Sequence, residues 1–252
     1  MIRFGKRIVQ RLVVGTRFEA PVKRAHFRLT GSKNSLYDAL TIEVMRRVLR
    51  ADSNAVDIGA FEGGMLRHML RFAPRGSHLA FEPLPGRAEK LQRAFPTARI
   101  YPYALGESPG ETAFHHVVRH PALSGLRRRI DLESSEDVRV ERVTVETLDR
   151  SVPEEVPIAL VKMDVEGGEL GVFRGGIRTL RRTRPVIVFE CGLGGADSYG
   201  AQPGEIFDLV TATIGLKLSL LDAWLSGGNP LSRSAFVDQF DQSINFYFIA
   251  HP

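Results

Sequence analysis

Asp57, Glu82, Asp164 and Glu190 each stand where a short apolar run stops. Asp57 lies in Val56-Asp57-Ile58-Gly59-Ala60-Phe61-Glu62-Gly63, and Met65, Leu66, Met69, Leu70 and Phe72 then follow on a helical period. A strand that turns directly into a helix leaves unpaired N–H groups and the positive end of the helix dipole beside whatever binds there. Gly59 and Gly63 let backbone come close to a ligand. The order D-x-G-x-x-x-G differs from the G-x-G-x-x-G that cradles a pyrophosphate, which an adjacent carboxylate would repel. It suits a cationic ligand carrying an amino group and a sulfonium. Glu82 closes the run at residues 77–81, about twenty residues past the turn, where an acid commonly holds a ribose diol.

The second chemical stretch is the run at residues 158–163, which delivers Asp164 to the carboxyl end of a buried strand, with Glu166 and Glu169 just after it. Acids at a helix start also cap N–H groups and meet the dipole, at about 0.3 to 1 kcal/mol each. Three carboxylates in so short a stretch exceed that need, and the run at residues 185–189 brings Glu190 to the same rim. Asp164, Glu166 and Glu190 are the candidate bases for a hydroxyl group, with His115, His116 and His120 as rivals. Crowded carboxylates raise a pKa or recruit a hard cation, so Mg²⁺ is an alternative whose ligands the sequence does not name. Cys191, the single cysteine, reads as a small buried hydrophobe.

Apolar periodicity supplies the elements that must hold these groups. Leu36, Leu40, Val44 and Val48 predict a helix over residues 35–49, capped by Asn34 or Ser35 and laid against a sheet edge. Helix and strand then alternate: a helix at 85–95, a strand at 99–103, a strand at 158–163 and another at 185–189. That alternation predicts a parallel, doubly wound sheet. Residues 113–118 and 138–148 read as an inserted strand pair around the polar segment 120–137, which carries Ser124-Gly125-Leu126 and Arg127 to Arg129. A helix at 205–214 and β-rich runs at 216–221 and 244–250 predict a closing hairpin-like pair.

With 43% hydrophobic and 25% charged residues, the 252-residue chain has the composition of one soluble domain. No apolar run reaches the ~18 to 20 residues that span a bilayer, and no cleavable signal is visible. A lone cysteine fits a reducing cytoplasm. The formal charge of +5 is unevenly placed, because Arg3, Lys6, Arg7, Arg11, Arg17, Lys23, Arg24, Arg28 and Lys33 face only Glu19 within residues 1–33. The rest of the chain is net acidic. Residues 1–33 are therefore set apart as a basic leader and 34–252 as the domain. Ile2, Phe4, Ile8, Val9, Leu12 and Val13 interleave with that charge, so the leader either packs on the domain or on a second copy, or lies on an anionic membrane. Its removal is expected to leave ligand affinity unchanged. Nucleic acid is not an expected partner, because the excess charge lacks an aromatic stacking platform.

Val56-Asp57-Ile58-Gly59-Ala60, Phe81-Glu82-Pro83, Ala104-Leu105-Gly106, Val145-Glu146-Thr147-Leu148-Asp149 and Lys162-Met163-Asp164-Val165-Glu166-Gly167-Gly168-Glu169 together resemble the FkbM family of S-adenosylmethionine-dependent methyltransferases. Asn245-Phe246-Tyr247 is similar to the family's last strand. The resemblance implies a Rossmann-like class I methyltransferase fold, an α/β architecture with a seven-stranded, mostly parallel sheet, helices on both faces and an antiparallel last strand. It implies methyl transfer to a hydroxyl of a sugar, glycan or natural product. Asp57, Gly59, Ala60 and Gly63 would line the methionine part of S-adenosylmethionine, Glu82 would hold the ribose, and Ala104 and Leu105 would lie near the adenine. Phe61 departs from the Asn that family members commonly carry, which leaves a polar contact absent or supplied by Glu62. Two other classes share the fold or the pocket: a nicotinamide-dependent oxidoreductase, and a non-catalytic cofactor-binding module docked to membrane by its leader.

Overall fold

The apolar runs become ten strands in the computed structural model, which describes residues 15–128 and 137–252. They are β1 (Ala55–Ile58), β2 (His78–Phe81), β3 (Arg99–Tyr101), β4 (Ala104–Leu105), β5 (Gly110–Val117), β6 (Val138–Glu146), β7 (Leu160–Met163), β8 (Val186–Glu190), β9 (Lys217–Ser219) and β10 (Tyr247–His251). Seven of them form one sheet in the order β3-β2-β1-β7-β8-β10-β9. All neighbours are parallel except those of β10, which runs against β8 and β9. The register sets Ile58 beside Phe81 and Met163, and Met163 beside Phe189. The carboxyl ends of β1, β2, β7 and β8 therefore finish level, and the four acids named above meet at one rim.

The helices are α1 (Glu19–Thr30), α2 (Lys33–Val48), α3 (Gly64–Phe72), α4 (Pro85–Ala94), α5 (Leu148–Ser151), α6 (Glu169–Gly175), α7 (Ile177–Thr183), α8 (Pro203–Asp208), α9 (Leu221–Ser226) and α10 (Arg233–Asp241). Strand side chains alternate between two covered faces. Val56, Ile58, Phe81, Val161, Met163 and Phe189 pack with Val172, Phe173, Leu180, Ile206 and Phe236 on one side. Ala55, Ala80, Leu160, Val188 and Ile249 pack with Leu40, Val44, Met45, Leu66, Met69 and Leu91 on the other. Burial on both faces is why these strands read as unbroken apolar runs.

Several expectations need correction. Helix α2 puts Leu40, Val44 and Met45 into the apolar cluster that also holds Leu160, Val188 and Ile249 of the sheet, and its Tyr37 stacks on Tyr247 of β10. Its N-terminal flank is Ser32, which makes no side-chain cap bond, and the Ser35 hydroxyl meets His26 Nδ1 of α1 at 2.9 Å instead. The closing strands β9 and β10 pair antiparallel as expected, yet α9 and α10 stand between them in sequence. The predicted insert is a hairpin, with β5 and β6 paired from Gly110↔Val145 to Val117↔Val138, and β4 joins it in a separate three-stranded sheet. Arg129, and the apolar residues of the basic segment from Ile2 to Val13, lie outside the described residues.

Helix α1 is fastened to the fold by charge. Arg24 pairs with Glu43 of α2 at 2.6 Å, Lys23 with Asp38 of α2, and Glu19 with His68 of α3 at 2.8 Å. Among the described residues no helix is long and apolar enough to cross a membrane.

Candidate active site

The end of β1 is built by backbone necessity. The N–H groups of Gly59 and Ala60 both reach the Phe81 carbonyl at 3.0 Å, which turns the chain sharply toward α3. Gly59 has φ of +76°, and a Cβ there would lie 1.9 Å from the Asp164 carbonyl oxygen, so β1 and β7 can close only around glycine. Gly63, also at φ +76°, would strike the Phe95 ring. Phe61 takes φ of +51°, a left-handed position where asparagine is the better non-glycine residue. Its N–H donates to Glu82 Oε2 at 3.1 Å, and the Arg87 guanidinium lies 4.7 Å from the centre of its ring. The backbone contact that this position makes is thus kept, while the polar side chain is exchanged for a stacked aromatic.

Glu82 is buried, and the Leu84 N–H donates to its other oxygen at 3.1 Å. Burial raises its pKa, against the pull of the Leu84 and Phe61 amides and of Arg87. Each oxygen has given one lone pair to backbone and keeps another for a ligand donor.

Asp57 is the register partner of Lys162 across β1 and β7. It is 1% exposed, and neither carboxylate oxygen has a hydrogen-bond partner. Burial pushes its pKa up, Lys162 and the Leu66 amide pull it down, and the Asp164 charge adds to the rise. A buried carboxylate without a donor at hydrogen-bond distance is costly; the charge of Lys162 and the Leu66 amide offset part of that cost, and both oxygens stay open to a further donor. The Lys162 ammonium lies 3.2 Å from Asp164 Oδ2. Burial alone would lower the lysine, but Asp164 and Asp57 hold it above its ordinary value.

Asp164 accepts from the Tyr247 hydroxyl at 2.7 Å. Burial works to raise its pKa, but Lys162 and that hydroxyl hold it below the ordinary carboxylate range, with a further hydrogen bond to Glu190. Glu190 goes the other way: burial, then the charges of Asp164, Glu166 and Glu169, keep it protonated well above the usual range. Glu166 sits between them on left-handed backbone, φ +57°, a conformation that non-glycine residues hold only when their surroundings impose it. One oxygen from each of Asp164, Glu166 and Glu190 lies within 4.8 Å of the others, a spacing a hard divalent cation can bridge. Lys162 already supplies positive charge to Asp164.

Glu169 turns inward from the first position of α6 and accepts the N–H groups of Val165 and Gly167 at 3.0 and 3.4 Å. Burial pushes it up to about 7, and its work is to clip the turn that presents Asp164 and Glu166. Asp149 is likewise structural, because it accepts the amides of Arg178 and Thr179 and so starts α7. Cys191 is buried, which raises its thiol well above the ordinary value and fits the reading of a core residue.

One cavity of about 470 Å³ joins these parts, a volume usual for small-ligand sites. Asp57, Gly59, Ala60, Glu62 and Glu82 line it, as do Ala104, Leu105, Asp164, Glu166 and, from the hairpin, Ser124 to Leu126. Gly63 stands behind the wall on Phe95, and Glu190 stands behind Asp164. None of the rival histidines His115, His116 and His120 is among the residues lining this cavity; the His115 backbone pairs with Gly125, and the His116 ring lies between Arg87 and Glu141, at 3.3 Å from each. Sequence reasoning missed Lys162, Tyr247, Lys23, Asp38 and Thr41, all of which also line the cavity. Lys162 had a signal, being the one cation in a buried run.

A family model described as the methyltransferase FkbM domain matches residues 57–212. The chain belongs to the FkbM methyltransferase family. The sheet order and the reversed β10 are those of the class I S-adenosylmethionine-dependent methyltransferase fold expected from the sequence. Among solved structures, an FkbM methyltransferase from Methylobacillus flagellatus KT is 14% identical, with a TM-score of 0.49 over 81% of this chain and 44% of that one. This FkbM-family chain therefore spans less than half the length of that protein. A TehB-like SAM-dependent methyltransferase from Corynebacterium glutamicum is 12% identical, with a TM-score of 0.42 over 90% and 97% of the two chains. The StiE O-MT structure is 11% identical, with a TM-score of 0.43 over 91% and 78%. A search of curated proteins gave no match. The family stretch begins at Asp57, so it holds the four rim acids and leaves out α1, α2 and Tyr247.

Proposed function

We propose that this FkbM-family chain transfers a methyl group from S-adenosylmethionine to a hydroxyl oxygen of a sugar, glycan or natural-product acceptor. One observation carries the reading: a single cavity is lined both by the corner of Asp57, Gly59 and Glu82 and by Asp164 and Glu166. The orphaned oxygens of Asp57 fit a ligand that brings an ammonium, and the free lone pairs of Glu82 fit a ribose diol. When bound, S-adenosylmethionine supplies an activated methyl on a sulfonium.

The chain's own residues then align the oxygen, which contributes up to about 7 to 11 kcal/mol, and receive its proton, worth roughly 10²- to 10⁴-fold. Asp164, ionised and pinned by Lys162 and Tyr247, accepts the acceptor O–H and aims its lone pair. A carboxylate with a depressed pKa is a weak base, so orientation is its larger contribution. Glu166 flanks it in the cavity, and Glu190 holds its other side. The hairpin residues Ser124, Gly125 and Leu126 close the acceptor side. In a second reading, favoured by their mutual spacing, Asp164, Glu166 and Glu190 would hold Mg²⁺, which would supply positive charge beside the acceptor hydroxyl. For the basic segment 1–33, packing on the domain or on a second copy is the favoured reading and an anionic membrane surface the alternative, separated by vesicle flotation at low and high salt.

The deciding experiment is transfer of a labelled methyl from S-adenosylmethionine to a panel of hydroxyl-bearing glycans and small molecules, with the product bond identified by mass spectrometry. Label found on nitrogen or on a carboxylate would end the hydroxyl assignment. Hydride exchange with a nicotinamide cofactor would move the chain to the oxidoreductase class. Tight cofactor binding without turnover on any acceptor would favour the binding module.

A further inference from the structure

The stretch that defines the family begins at Asp57, but the cavity continues past it to α1 and α2. Thr41 of α2 lines the wall there, is 1% exposed, and its hydroxyl has no hydrogen-bond partner. A threonine inside a helix ordinarily turns its hydroxyl back onto the carbonyl four residues earlier. Asp57 lines the same cavity, and its two oxygens are likewise buried and without a hydrogen-bond partner. Lys23 of α1 also lines the cavity, its ammonium held by Asp38 and, at 3.4 Å, by Glu19 Oε1. Glu19 is itself fixed by His68 Nε2 at 2.8 Å and by the Gly15 N–H at 2.6 Å. Lys23 is thus a placed side chain, and two of its three N–H donors are spoken for. The third is left for a ligand.

We propose that Lys23, Thr41 and Asp57 together form the recognition site for the α-amino-acid end of the cofactor, Lys23 and Thr41 binding its carboxylate and Asp57 its ammonium. This rests on the reading that the cofactor is S-adenosylmethionine. An amino-acid zwitterion needs a cation and a neutral donor on one side and an anion on the other, which is what these three residues provide. The balance of charge agrees: Lys23 is outweighed by Glu19, Asp38 and Asp57, and the ligand's ammonium and sulfonium outnumber its one carboxylate. Lys23 shares the work of stitching α1 to α2 with the Arg24–Glu43 pair, but unlike Arg24 it also lines the cavity. The basic segment is then part of the cofactor site, against the expectation that residues 1–33 can be removed without loss of affinity.

The test is calorimetry on the full chain with two probes, S-adenosylhomocysteine and 5′-methylthioadenosine, which has the same nucleoside and sulfur but no amino acid. Lys23→Met and Thr41→Val should each weaken S-adenosylhomocysteine about 10- to 100-fold while methylthioadenosine binding stays within about twofold. Thr41→Ser should restore the affinity lost in Thr41→Val, since it returns the hydroxyl. Equal losses for both probes would show a role in folding only and overturn the proposal, as would unchanged S-adenosylhomocysteine affinity in both variants. Wild-type protein that binds the two probes equally well would overturn this site while leaving the cofactor reading standing. Wild-type protein that binds neither would overturn the cofactor reading, and this site with it.

Discussion

Asp57 and Lys162 are register partners on adjacent parallel strands, and the lysine ammonium lies 3.2 Å from Asp164, the residue directly after its own strand. One buried cation thus balances two carboxylates, to which the proposed function gives different tasks, Asp57 with the cofactor and Asp164 with the acceptor. Strand geometry makes this simple, because residues two apart along an extended chain share a face and the β1 neighbour lies level with the first of them. The charge of each end of the cavity is therefore felt at the other.

Replacing Lys162 with Met should leave both carboxylates uncompensated in a buried setting. Breaking such a pair by removing one partner costs about 3 to 5 kcal/mol, and urea denaturation is expected to find a loss of that order. Adding Asp57→Asn to Lys162→Met should recover part of it, since a neutral amide no longer needs the cation. A loss below about 1 kcal/mol in the single variant would mean that water, and not Lys162, balances these acids.

Glu169 makes stability depend on pH in a definite direction. Its folded pKa, about 7, lies above the ordinary 4.5 because burial disfavours the charged form. Its contribution is fully present below the unfolded value and is lost as pH rises through the folded one, at roughly 1.4 kcal/mol for each pH unit between them. Wild-type protein should therefore lose up to about 3 kcal/mol from this group between pH 4.5 and pH 7, with little further change above. Glu169→Gln keeps an oxygen for the Val165 and Gly167 amides and removes the charge. Its melting temperature should match wild type near pH 5 and exceed it near pH 8; a variant less stable at both would refute a buried ionisation.

The rim acids were legible because each stands at the carboxyl end of an apolar run: Glu82 and Asp164 directly follow their strands, Glu190 is the last residue of its strand and Asp57 the last but one. The residues opposite them were not. Thr41 and Lys23 come from helices whose spacing records only which face is apolar, and Tyr247 meets Asp164 from a strand that inserts into the sheet after two further helices. Asp164 and Glu169 look alike in sequence as acids near a helix start, and only the fold separates the one held by Lys162 and Tyr247 from the one that clips the turn. Gly59 was read as room for a ligand, whereas its Cβ position is filled by the Asp164 carbonyl. A Gly59 substitution would therefore test strand packing before it tested binding.

Glu82 gives a cleaner handle on the cofactor. Glu82→Gln should weaken S-adenosylhomocysteine by about 10- to 100-fold, the value of charge-assisted hydrogen bonds to both ribose hydroxyls. The amide also faces a backbone N–H with a donor at one position, so the loss must be shown to concern the diol. Wild type should prefer methylthioadenosine to its 2′-deoxy analogue, and the variant should lose most of that preference. An unchanged preference would remove Glu82 from the ribose site.

Asp164→Asn addresses the chemical step. The side chain touches Tyr247 and Lys162, and the turn amides are held by Glu169, so a lost helix cap cannot account for an effect. The variant should keep S-adenosylhomocysteine affinity nearly intact and slow single-turnover methyl transfer by roughly 10²-fold or more, without abolishing it, because alignment by the rest of the cavity outweighs base catalysis. Lys162 then faces a neutral amide, so some stability is lost as well, and rate and melting temperature must be measured on one sample. Chelation separates the two ways of using this acid: with Lys162 as the balancing charge, a chelator leaves the wild-type rate unchanged, whereas a bridging Mg²⁺ makes the loss comparable to Asp164→Asn and reversible by added metal. A variant that is less stable yet transfers methyl at the wild-type rate would show that Asp164 holds the strand end together and has no part in the reaction.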